Sequence, residues 1–135
     1  MGTFAQLRGD IPIVIDVGYM AANVTGGCSV AVPFNAVVKS AKLLPSAAIT
    51  ANGTNYFTMS FFNRGAAGAG TVQWATARAW SSVNSAKATP EVLTLSSTAS
   101  DLNFTAGDVL NIECAPTGTG LIWPGGAVQL VVWAR

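Results

Sequence analysis

Apolar and polar side chains alternate with period two along most of this chain, and no long window carries the 3.6-residue period of an amphipathic helix. The clearest run lies between Asn52 and Gly70. There Phe57, Met59 and Phe61 point one way, Thr58 and Ser60 the other, and Asn-Gly and Arg-Gly punctuate the ends. A glycine turn leads into residues 71–79, where Val72 and Trp74 share a face opposite Gln73, so the two runs predict a long hairpin. Further strands are predicted over residues 28–32 (Val30 and Val32 on one face), 36–43, 92–95, 109–115 and 127–134. Seven or eight short strands separated by Gly, Pro, Asn and Ser turns predict an all-β protein, an antiparallel β-sandwich of jelly-roll type. Its core is expected from the shared faces: Phe57, Met59, Phe61, Val72, Trp74, Leu110, Ile112, Val128, Leu130 and Val132.

Residues 1–27 lack this sustained alternation and read as an extended N-terminal arm, with residues 28–135 as the sandwich domain. Within the arm, Ile11, Pro12, Ile13, Val14 and Ile15 form a short β-prone run that a free tail would leave exposed. The arm is therefore expected to contact a neighbouring subunit or a larger shell as an added strand, through Ile11, Ile13, Val14 and Ile15, and its removal to leave the sandwich folded. A second contact site is expected in the Gly- and Pro-rich segment 116–126. It places Leu121, Ile122 and Trp123 in a loop that should lie at the surface.

Composition adds a reason to look for contacts. Charged residues make up 10% of the 135 positions and hydrophobic residues 50%, against roughly 25% charged in ordinary soluble domains. That balance fits a subunit that covers part of its surface with copies of itself or with a larger assembly. The net charge is +1 and the basic residues are scattered, which argues against nucleic acid as a partner. No apolar run reaches membrane-spanning length and the N-terminus does not read as a signal peptide, so a chain made in the cytosol and independent of membranes is expected.

The sequence contains no histidine, which removes the usual general base and the commonest metal ligand. Its six carboxylates, Asp10, Asp16, Glu91, Asp101, Asp108 and Glu113, are scattered singly, and Asp108 after Gly107 reads as a turn residue. The glycines at 65, 68 and 70 are followed by a strand and by no Lys-Ser or Lys-Thr, so they predict a hairpin loop rather than a phosphate cradle. Cys28 and Cys114 have no metal-ligand spacing and read as buried free thiols, with a disulfide between them as the alternative. A non-enzymatic protein without cofactor or metal is expected. Trp80, Trp123 and Trp133 offer an alternative, stacking on sugar rings, for which core or interface packing is the competing explanation.

Several segments together resemble the head decoration, or cement, proteins of tailed bacteriophages. They are residues 36–48 followed by Ala51-Asn-Gly-Thr-Asn-Tyr-Phe-Thr58, then Asn63-Arg64-Gly65 with its glycine turn, then Ala106-Gly107-Asp108-Val109-Leu110, and last Gly118-Thr119-Gly120-Leu121 running into Pro124. The resemblance covers about residues 36–134 and leaves out the arm. It implies a homotrimer on the outer surface of an icosahedral capsid, bound to the major capsid protein and stabilising the expanded shell. The alternative is a carbohydrate-binding module or a head-fibre, receptor-binding domain that presents its tryptophans.

Overall fold

The computed structural model describes residues 9–135 and turns the alternating segments into nine strands in two antiparallel sheets. They are β1 (Ile11–Val17), β2 (Gly26–Ala31), β3 (Ala36–Pro45), β4 (Tyr56–Asn63), β5 (Val72–Ala79), β6 (Glu91–Val92), β7 (Asn103–Phe104), β8 (Val109–Thr117) and β9 (Gly126–Ala134). Sheet 1 runs β1-β9-β3-β6, with β7 also paired to β3, and sheet 2 runs β2-β8-β4-β5. With β6 and β7 as two pieces of one position, this is the interleaved order of an eight-stranded jelly roll. The first strand lies beside the last in one sheet, and the second beside the next-to-last in the other. The expected all-β sandwich is the fold observed.

Inward-facing residues of both sheets make one core. Leu43, Leu130, Val128, Met59, Phe61, Leu110, Ile112 and Trp74 are almost completely buried. Of the residues expected in the core, Val72 alone is exposed. The β4–β5 pairing shifts register on either side of Phe61, so the strict alternation read from Val72 to Trp74 breaks and Trp74 and Ala75 are both buried. Val30 does face inward, opposite Leu110, yet β2 is an edge strand and the cover of sheet 1 ends there, which leaves Val30 partly exposed.

The N-terminal arm requires correction. Residues 1–8 lie outside the described residues, but β1 pairs with β9 along its whole length, from Ile11 opposite Val132 to Val17 opposite Gly126. Ile15 and Val17 are buried in the core, and Ile11 and Ile13 pack against it. The domain therefore begins before residue 28. The open side of β9 belongs to the same chain, and an intramolecular strand competes at a far higher effective concentration than a neighbour's. Pro12 fits because β1 is an edge strand.

The strand expected over residues 92–95 is split. Glu91–Val92 pairs with β3, after which the chain crosses to sheet 2, where Thr76 donates its N–H to Thr94 O and Ser96 donates to Trp74 O. That crossing covers part of the β5 edge. Asp108 behaves as a turn residue, accepting from Thr105 N at 2.9 Å and from Asn63 Nδ2 at 3.1 Å. Both thiols are free, Cys114 buried and Cys28 half-buried on the neighbouring strand.

Candidate contact surfaces

Strand pairing places the segments 18–25, 46–55, 80–90 and 118–125 at one end of the jelly roll, where they are tied to one another. Met20 bridges Trp123, Ile49 bridges Ser85, and Ser46 N donates to Gly125 O. Asn84 Oδ1 accepts from Ala51 N at 2.8 Å and Asn55 Oδ1 from Thr119 N at 2.9 Å. Gly120, at φ +68°, brings segment 118–125 against Asn23, and a Cβ there would lie 3.0 Å from Asn23 N. Beneath these loops Phe57 stacks on Trp80 at 4.2 Å between ring centroids, and Trp123 closes the cluster 6.0 Å from Phe57 and 5.9 Å from Trp80.

A polar cluster fixes the longest of these loops. Ser85 Oγ accepts from Trp80 Nε1 at 2.7 Å and donates to Glu91 Oε2 at 2.6 Å. Arg78 meets Glu91 at 3.0 Å, donates to the carbonyls of Ala79 and Val83, and lies 4.4 Å above the Trp80 ring. Ser85 is thus a buried hydroxyl with every partner supplied, and its proton is committed to a carboxylate in a chain without histidine. The cluster leaves no buried side-chain polar atom of these residues without a partner. Sequence reasoning missed it because Arg78, Ser85 and Glu91 follow no motif spacing.

The outer surface of this end mixes apolar side chains with Ser, Thr and Asn and is almost uncharged. Tyr19, Val24, Val83 and Ile122 are exposed, and Lys87 is the single charged residue in the four segments. Ala22, Ala48, Ile49, Thr50, Leu121 and Ile122 line an open groove of about 420 Å³. A second open cleft, about 550 Å³, runs along β5 past Thr76, Thr94 and Ser96 to Asp101, whose carboxylate already accepts from Ser96 Oγ at 2.6 Å.

The residues expected to make contacts divide between different places. Ile122 is exposed and Leu121 half-buried at the loop end, while Val14 is exposed on the outer face of sheet 1. Ile15 and Trp123 are buried and cannot touch a partner, and Ile11 and Ile13 are half-buried against the core. Trp123 was expected at the surface because it sits in a Gly- and Pro-rich loop. Its indole instead points inward and donates Nε1–H to Val17 O at 3.0 Å. Trp80 is buried as well, so neither is available to stack on a sugar. Trp133 is partly exposed, but Lys39 Nζ lies 4.2 Å from its ring centroid and its Nε1 donates to Asp10 at 2.8 Å.

The outer faces of the two sheets differ. On sheet 2, Arg64 stacks on Phe62 at 4.0 Å, pairs with Glu113 at 2.7 Å and donates to Asn111 at 3.1 Å, and Asn111 donates to Ser29. That face satisfies its own polar groups. Near its edge, burial raises the Cys28 thiol above its ordinary value, with a smaller contribution from the charge of Asp16. Cys114, deeper, is pushed up to about 12 by burial first, then by Cys28 and Glu113. No group of three His, Cys, Asp or Glu side chains able to hold a metal occurs among the described residues.

No protein-family model matches the chain. No curated protein matches it either. Among solved structures it is similar to a chain in the structure of infectious bursal disease virus, Gx strain, with a TM-score of 0.46 and 11% identity. The likeness covers 99% of this chain, which spans 36% of that one. A likeness at that level decides neither fold nor function.

Proposed function

We propose that this chain is a non-enzymatic virion structural protein of the decoration, or cement, type. It binds the outer surface of an icosahedral phage capsid as a homotrimer, contacts the major capsid protein and stabilises the expanded shell. The observation that carries the reading is the loop end: four loops cross-linked by backbone bonds, with one charged side chain among them and exposed Tyr19, Val24, Val83 and Ile122. Cross-linked, nearly uncharged ends of this kind suit docking with little ordering cost. Jelly rolls recur in capsid proteins, lectins and cupins. A cupin-like metal centre draws no support from a sequence without histidine. A sugar platform draws none from Trp80 and Trp123, both buried.

Cementing follows from binding alone. A protein that engages only the expanded lattice stabilises it by mass action, and a trimer with three such ends gains through avidity. The test is co-sedimentation with expanded and unexpanded capsids of the phage that encodes the chain. Binding to expanded capsids that is lost in Ile122→Asp and Tyr19→Asp, both at exposed positions, is the expected result. Absence of binding to either particle, with binding to a glycan array instead, would sink the proposal.

A further inference from the structure

The outer face of sheet 1 has a charge pattern that sheet 2 lacks. On β9, at the centre, the outward residues Ala127, Gln129, Val131 and Trp133 are all uncharged. On one flank stand Asp10, just before β1, and Pro12, Val14 and Asp16 on it, and on the other β3 presents Val37, Lys39, Ser40, Lys42 and Leu44. The register aligns Val14, Gln129, Lys42 and Val92 in one row across four strands, and Asp16, Ala127 and Leu44 in the next. Val92, at the basic end, is 77% exposed, and Val14, at the acidic end, 62%. Asp10 and Lys39 already engage Trp133 from either side. Asp16 and Lys42 have no ion-pair partner among the described residues, because two strand spacings, about 10 Å, separate their strands.

We infer that this face binds a second copy of the same chain, with the acidic strand of one copy against the basic strand of the other. The pattern is complementary to itself. Turning a copy about an axis parallel to β9 sets its Asp16 over the first copy's β3, within a lysine's reach of Lys42, and covers Val131 and Val14. Turning it about an axis across the strands sets acid on acid and lysine on lysine, which disfavours that arrangement. A closed ring meets the same condition when each acidic flank meets the next copy's basic flank. This deepens the self-association in the cement reading by naming its surface, and the test below contains no capsid. Its failure would strike the interface alone, whereas failure of co-sedimentation would strike the cement reading.

The experiment is sedimentation equilibrium on the full chain at micromolar concentration, with melting temperatures as a control because Asp16 and Lys42 are exposed. Asp16→Lys and Lys42→Asp are each expected to weaken self-association roughly tenfold or more, with melting temperatures equal to the parent's at a dilution where all are monomeric. The double variant carrying both changes is expected to restore it. Mixing the two single variants restores a two-fold dimer fully but leaves one mismatched junction in a ring of three, so the mixture also reports the symmetry. A monomeric parent, single variants that associate like the parent, or a double variant that stays dissociated would each overturn the inference.

Discussion

Trp123 decides between a loop that makes contacts through its largest side chain and a loop pinned by it. The indole is 1% exposed, edge-on to Phe57, tilted against Trp80, and its N–H ends on the Val17 carbonyl. Trp123→Ala removes that ring from a packed cluster and is expected to cost about 3 to 5 kcal/mol. For a domain of this size that lowers the melting temperature by roughly 10 to 20 °C. Trp123→Phe keeps most of the apolar contact but leaves the Val17 carbonyl without the indole donor, so roughly 1 to 3 kcal/mol is expected. Urea unfolding followed by circular dichroism measures both, and an unchanged m-value shows that the unfolded state has not been altered. If Trp123→Ala melts within a degree or two of the parent, the ring is not anchored in the core and the packing argued here is wrong.

Three further outcomes follow from the same geometry. Ser85→Ala strips the partner from a buried indole N–H and from Glu91, and should destabilise by roughly 1 to 3 kcal/mol; a loss under about 0.5 kcal/mol would mean that water replaces the hydroxyl. Removing residues 1–17 takes away Ile15, Val17 and the strand beside β9, so the truncated chain should lose its cooperative melting transition, and retention of the parent melting temperature would restore the arm. Cys114, held near 12 against about 9 in the unfolded chain, keeps its proton where the unfolded thiol has lost it. Its contribution to stability is therefore complete below about pH 9 and declines at about 1.4 kcal/mol per pH unit as pH rises toward 12. Cys114→Ala should flatten that part of the urea midpoint against pH, and an unchanged slope would place its origin elsewhere.

The fold was legible because period two survives in β4, β8 and β9, where one face packs on the opposite sheet and the other does not. It failed where a local irregularity intervened. The register shifts beside Phe61 turn Val72 outward and bury Ala75 next to Trp74, and no residue type in Val-Gln-Trp-Ala signals them. The arm was misread for a different reason. Ile11 to Val17 does alternate, with Ile13, Ile15 and Val17 inward and Pro12, Val14 and Asp16 outward. Valine at position 14 and proline at 12 hide that period by filling outward positions with apolar side chains.

That disguise follows from what the outer face of sheet 1 is made of. In a monomeric sandwich the outward positions of an edge strand carry charge, which blunts the edge and marks the strand's facing in the sequence. Here Val14 and Val92 stand at such edge positions, Val131 and Leu44 add apolar groups on the strands between, and the charges that do occur are sorted, acids at β1 and lysines on β3. Charge is scarce at the loop end too, where Lys87 stands alone among apolar, Ser, Thr and Asn side chains. The outer face of sheet 1 thus carries sorted charges and the loop end almost none, while the outer face of sheet 2 ties up Arg64, Glu113 and Asn111 among themselves. One surface with sorted charges suits a copy of itself. The other, almost without charge, suits a partner of different shape, as the proposed cement role would require.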